Sequence, residues 1–197
     1  MTSAEGESAR RLRIPLDEHT VMSLRAGDRV LLSGVLYAAR DAAHRKMVEA
    51  LRGGGRLPLD LHGQVIYYVG PTPAPPGRAV GAAGPTTSGR MDPYTPPLLQ
   101  QGLRGMVGKG PRGPQVQEAM CRAHAVYFVV TGGAGALLAR HIVEATVVAY
   151  PELGTEALRR LVVDDMPALV AVDAHGGNLF ASGPQAFAAG SGSGVVA

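Results

Sequence analysis

"RVLLSGVLYAARDAAHRKMVEALR", Arg29 to Arg52, carries the decision about fold class in one run. Its first part, 29–37, is rich in aliphatic and β-branched residues and follows a turn-forming Asp-containing segment, which reads as a strand. From 40 to 52 the period changes. Ala43, Met47, Val48 and Leu51 fall on one helical face, and Gly53 to Gly55 stop the helix. A strand that runs into an amphipathic helix predicts a mixed α/β domain. The same patterns extend outward. Strands are expected at 64–70, 125–130, 146–150, 161–166 and 168–174. Helices are expected at 114–123 and 134–144, with a short one near 97–101.

The chain has 197 residues, 46% of them hydrophobic, which suits a single domain with its own core, 14–186. Residues 1–13 read as a flexible polar arm and 187–197 as a flexible Gly/Ser-rich tail. The net charge is +3, aromatics are few, and no long Lys/Arg run occurs, so nucleic acid is not an expected partner. No apolar run approaches the roughly eighteen residues of a membrane span. The N-terminus lacks the apolar core of a signal peptide, so a cytoplasmic protein is expected. The one cysteine, Cys121, excludes an internal disulfide and a thiolate-rich metal or iron–sulfur site built from this chain alone.

Four stretches could carry chemistry. In "AARDAAHRK" (38–46), Arg40 and His44 lie four apart at a helix start and share a face, beside unpaired backbone N–H groups. The plainer reading is a solvated helix face with Asp41 paired to an Arg or Lys. In "VGAAGPTTSGRMDPYTP" (80–96), Thr86, Thr87 and Ser88 offer hydroxyls, Gly89 lets a ligand approach the backbone, and Arg90 can grip a carboxylate in bidentate fashion. A turn-rich loop competes about evenly. "VGKGPRG" (107–113) fails as a phosphate loop, because Leu103 and Gly110 stand where Gly and Ser/Thr are needed, although Lys109 still presents a point charge. "VVTGGAGALLARHIVEA" (129–145) lacks the last glycine of a dinucleotide fingerprint at Leu138. Close helix–sheet packing, or a helix start near a small anion, suits its glycines better. His19 and His62 read as surface residues and His175 as part of a turn.

"LLSGVLYAARDAAHRK", "YYVGPTPAPPGRAVGAAGPTTSGRMDPYTPPLL", "GMVGKG", "GGAGALLA" and "DMPALVAVDAHGGNLF" occur in this order. Together they resemble the C-terminal domain, or separate β subunit, of class I (iron–sulfur) fumarate hydratases and the related tartrate dehydratases, over roughly residues 15–182. The resemblance implies a swivelling three-layer β/β/α domain and the reversible hydration of fumarate to L-malate. It implies a [4Fe–4S] cluster held by a partner α subunit, and a homodimer or α2β2 assembly. By the same resemblance Arg40, Arg90 and Lys109 clamp the dicarboxylate. Thr86 and His44 are both candidates for the acid/base role, and metal ligands are expected from neither. Ala39 stands where the family often has Thr, and "GPRG" after Lys109 departs from the usual continuation. A dehydratase of tartrate or another hydroxy-diacid, and a partnerless anion-binding module, are the competing expectations.

Overall fold

The computed structural model describes residues 9–190. Its strands are β1 (Arg10–Ile14), β2 (Arg29–Ala38), β3 (Val65–Tyr67), β4 (Gly105–Gly108), β5 (Val126–Val129), β6 (Ile142–Ala149) and β7 (Leu158–Val172). Its helices are α1 (Glu18–Ser23), α2 (Asp41–Arg52), α3 (Thr95–Gln100), α4 (Pro114–Ala123), α5 (Gly135–Ala139) and α6 (Leu179–Gly190). Strands β1 to β5 run parallel in the order β1-β2-β3-β4-β5. The long β7 then runs antiparallel to β5, β6 and β2 at once, so β2, β3, β4, β5 and β7 close into a ring.

Alternation along the strands explains the layers. Val65 and Tyr67, Val107, and Val126 and Phe128 point to one side, into a core shared with Leu12, Leu32, Leu161 and Val170. Ile66, Met106 and Tyr127 point to the other side. There they meet Ala43, Met47 and Val48 of α2, Leu98 and Leu99 of α3, and Val116 and Met120 of α4. A period of two thus feeds two separate cores from one parallel sheet. The result is a mixed α/β domain, as the sequence pattern predicts: one seven-stranded sheet with a core inside the ring and a second core under the helices.

Several boundaries differ from expectation. Residues 10–13, expected in a flexible arm, belong to β1 and pair in register with 30–33 of β2. Residues 1–8 lie outside the described part. The expected tail begins inside α6, which runs to Gly190, and 191–197 are not described. The helix expected over 134–144 stops at Ala139, and β-branched Ile142, Val143, Thr146, Val147 and Val148 continue as β6. The two strands expected at 161–166 and 168–174 are one. Pro167 sits between the β6 and β5 pairings, where the second edge of β7 carries no strand partner, so a missing N–H is tolerated there. Strand β4 was hidden by its glycines. A side chain at Gly105 would meet Val65 Cγ2 at 2.7 Å, and one at Gly108 would meet Ser88 Oγ at 2.0 Å.

Candidate active site

The candidate residues gather at the carboxyl ends of β2, β3 and β4, the end at which open parallel sheets present their ligand sites. Arg40 follows β2 and is the N-cap of α2 in extended conformation. The loop carrying Thr86 is fastened to the end of β3, because Thr86 N–H donates to Tyr68 O at 2.7 Å. Lys109 follows β4, bridges Thr87 in parallel register, and accepts from Ser88 N–H through its carbonyl at 2.9 Å.

The loop 86–95 is bolted from beneath. Ser88 is fully buried, and its Oγ lies 2.8 Å from Tyr127 Oη. Met91 is buried in the helix-side core. Asp92 accepts from Arg112 Nε at 2.7 Å and from Gly113 N–H at 2.7 Å. Thr95 Oγ1 donates to Met91 O and accepts from Arg112 Nη2 at 2.7 Å. Ser88, Met91, Asp92 and Thr95 are therefore consumed by the scaffold. Thr86, Thr87, Gly89 and Arg90 are left on the accessible side, with Gly89 and Arg90 exposed. Among the described residues neither the Thr86 hydroxyl nor the Lys109 ammonium makes a side-chain hydrogen bond or ion pair. Lys109 is exposed, and its stem passes Gly132.

Arg112 is the anchor of this scaffold, and sequence reading missed it. It is 3% exposed and donates to Asp92, to Tyr68 Oη at 2.9 Å and to Thr95. Its guanidinium also lies 5.3 Å from the ring centres of Tyr68 and Tyr127. Asp92 and Arg112 are twenty residues apart, and no spacing rule connects them. The only signal was that "GPRG" departed from the expected continuation.

His44 is not on a solvated face. It is 0% exposed, its Nδ1 is 2.9 Å from Arg40 O, and its ring meets the Tyr68 ring edge-on at 5.3 Å. Burial holds its pKa down at about 4. At neutral pH the imidazole is uncharged, Nδ1–H donates to the Arg40 carbonyl, and Nε2 carries a lone pair without a partner.

Asp41 is paired, as the plainer reading of this helix start expected. Arg90 Nε donates to Asp41 Oδ1 at 2.8 Å, and Arg40 Nε stands 3.9 Å from Asp41 Oδ2. Glu156 approaches Arg40 Nη2 at 3.6 Å from the far side. Arg40 lies against Gly70, where an added Cβ would come within 3.2 Å of Nη1. Buried side-chain polar atoms without a partner concentrate at this spot. Arg40 Nε, Asp41 Oδ2 and His44 Nε2 are three of them, and Arg159, in register with Ala38, adds its Nε. Buried polar groups are normally satisfied, so such a concentration marks a place built for something other than stability. Gly135 serves packing: Ala83 N–H donates to Gly135 O at 2.9 Å, and a Cβ on Gly135 would sit 3.0 Å from Gly84 N.

What the arrangement offers is three cationic side chains (Arg40, Arg90, Lys109) and a hydroxyl, Thr86, at neighbouring strand ends. Such a set suits an anionic ligand with more than one carboxylate. Among the described residues no group of three or more His, Cys, Asp or Glu could hold a metal ion, so a cluster site does not fit this chain's own donors. No helix there is long and apolar enough to cross a membrane.

The family model described as Fumarase C-terminus matches residues 2–183. The chain is 38% identical over 174 residues to fumarate hydratase 2 of Leishmania major, covering 86% of this chain and 30% of that protein. It is 39% identical over 184 residues to the aerobic class I fumarate hydratase of Salmonella typhimurium, covering 90% of this chain and 32% of that one. It is 33% identical over 182 residues to the L(+)-tartrate dehydratase subunit beta of Escherichia coli, covering 90% and 89% respectively. The chain thus spans about a third of the fumarate hydratases it matches, and most of the tartrate dehydratase subunit.

Proposed function

The chain belongs to the fumarase C-terminus family, and from that premise we propose that it is the β component of a hydro-lyase that interconverts fumarate and L-malate. The observation that carries this reading is the placement of Arg40, Thr86 and Lys109 at the ends of adjacent strands, with Arg90 on the same loop as Thr86. Removing a proton beside a carboxylate builds negative charge on that carboxylate, and fixed cations lower the barrier. Arg90 and Arg40 bind and orient the carboxylates, and Lys109 adds a third positive charge. Thr86, as its alkoxide, takes the proton and becomes the neutral hydroxyl. A threonine hydroxyl is almost wholly protonated at its free pKa, and nearby cations are what favour the alkoxide.

His44 has the support role in this reading. Its zero exposure and its pKa of about 4 suit a ring that holds the Arg40 carbonyl better than one that donates protons at neutral pH. A [4Fe–4S] cluster, held by a partner α subunit in a homodimeric or α2β2 assembly, would supply a Lewis acid for the leaving hydroxyl.

A second reading has its own support. The chain is 33% identical to a tartrate dehydratase subunit beta over 89% of that protein, which supports a β component acting on a hydroxy-diacid such as tartrate. One experiment addresses both. The chain is assembled anaerobically with the cluster-bearing subunit, and loss of malate and tartrate is followed, with this chain alone as control. Turnover of malate only in the assembly is the expected result. Turnover of tartrate alone would replace the fumarate reading, and an assembly with an intact cluster that turns over neither would overturn both.

A further inference from the structure

Three arginines meet the loop 86–95 or the start of α2, and they differ in how much of each guanidinium is occupied. Arg112 spends Nε, Nη1 and Nη2 on Asp92, Tyr68 and Thr95. Arg40 has an unbonded Nε and only a 3.6 Å approach from Glu156 at Nη2. Arg90 spends Nε alone, on Asp41 Oδ1 at 2.8 Å, and its side chain is 52% exposed. A guanidinium held at Nε keeps its terminal fork open, and that fork is the face that binds a carboxylate through two parallel hydrogen bonds.

Both ends of the Asp41–Arg90 contact are rigidly mounted. Asp41 is the first residue of α2, and Arg90 lies in the 3-10 turn Ser88–Met91, between buried Ser88 and Met91. Asp41 does not chelate Arg90 with both oxygens. Its Oδ2 is turned toward Arg40 Nε, 3.9 Å away, and is left without a hydrogen bond. One carboxylate is therefore divided between two cations. A bridge optimised for stability would close both bonds. This one fixes the direction of Arg90 while leaving its binding edge unspent.

We infer that Asp41 is a positioning residue: it holds Arg90 by Nε so that the Nη1/Nη2 fork faces the diacid, and it sets the lateral relation of Arg90 to Arg40. The inference rests on the reading of Arg90 as a carboxylate clamp. It assigns to Asp41 a role in diacid affinity that acts wholly through Arg90. A carboxylate that merely competed with substrate would have the opposite effect, since its removal would tighten binding. A carboxylate that merely stabilised α2 would act on folding and leave affinity alone.

The test uses succinate, an unreactive diacid, and calorimetry on the assembled enzyme carrying wild-type chain, Asp41→Ala, Arg90→Ala and the double variant. Asp41→Ala is expected to raise the succinate Kd about tenfold, and to add nothing in the Arg90→Ala background, as residues acting through one contact are non-additive. Asp41→Asn, which keeps an oxygen acceptor for Nε, is expected to recover most of the affinity. In the full chain by itself, the Arg90 Nε–H resonance should be slow to exchange and should lose that protection in Asp41→Ala. Unchanged or tighter succinate binding in Asp41→Ala, or effects of the two substitutions that add, would overturn the inference. If Arg90→Ala itself leaves succinate binding unchanged, the clamp reading falls and this inference with it. The protected Nε–H would then still report the contact, so the two failures are told apart.

Discussion

Replacing Arg112 by methionine separates the scaffold of the site from its chemistry. The methionine fills much of the same volume but leaves behind the partners of a side chain that is 0% exposed. Asp92 loses its 2.7 Å bond from Nε, and Tyr68 Oη and Thr95 Oγ1 lose donors at 2.9 and 2.7 Å. Breaking a buried pair by removing one partner costs about 3–5 kcal/mol. Asp92 is 23% exposed and keeps the Gly113 N–H, so the lower end applies, about 3 kcal/mol. For a domain of this size that is roughly 6–12 °C in melting temperature. The assay is urea unfolding of the full chain followed by circular dichroism, with Arg122→Ala as control. The Glu118–Arg122 pair is 70% and 65% exposed, and its loss should cost under about 1 kcal/mol. If Arg112→Met unfolds within about 1 kcal/mol of wild type, the polar network is not what holds the loop 86–95 in place, and the account of how Thr86 and Arg90 are presented is wrong.

Further outcomes follow from the same geometry. Gly108→Ala should destabilise by ~1–3 kcal/mol, because its Cβ would meet Ser88 Oγ at 2.0 Å. Adding Ser88→Ala should return part of that loss in the same unfolding assay. In the assembled enzyme, Arg90→Ala should lower kcat/KM at least ~100-fold, and near-normal turnover would remove Arg90 from the clamp. Thr86→Val, which keeps the shape and deletes the hydroxyl, should lower kcat by ~100-fold or more while succinate binds within a few-fold of wild type. His44 makes stability pH-dependent. Its folded pKa of about 4 lies below the ordinary 6.5, so the unfolded chain takes up the proton first as pH falls. The contribution is whole above pH 6.5 and is lost between 6.5 and 4. Wild type should therefore lose ~2 kcal/mol relative to His44→Leu between pH 7.5 and pH 5, and parallel curves would show that His44 is not buried neutral.

The parts of the fold that could be read from the sequence are those where one local pattern dominates. Helix α2 declares itself through Ala43, Met47 and Val48 on one face, and all three are buried. The parts that could not be read are those where a distant neighbour decides. Gly105 and Gly108 look like loop residues until Val65 and Ser88 are seen to occupy the space a side chain would need. Arg10 to Arg13 look like a solvated arm. In fact, β1 alternates exposed arginines with Leu12 and Ile14, and its backbone bonds are supplied by β2. A strand of five residues, three of them arginines, has too little local signal to stand out without its partner.

The site divides in the same way. Arg40, His44, Thr86, Arg90 and Lys109 were all legible as candidates, since each lies in a motif with turn or cap chemistry around it. What the sequence could not supply was which polar groups are already spent. Arg112 and Arg90 are the same residue type on neighbouring loops, yet one has its donors satisfied inside the protein and the other has a single bond at Nε. The first can only stabilise; the second still has binding capacity. His44 inverts the expectation in the same terms. Its Nδ1 is spent on the Arg40 carbonyl and its charge is suppressed by burial, where a solvated helix face was the plainer expectation. Saturation of hydrogen-bonding capacity, rather than residue type, is therefore the property that separates framework from working surface here, and only the folded arrangement displays it.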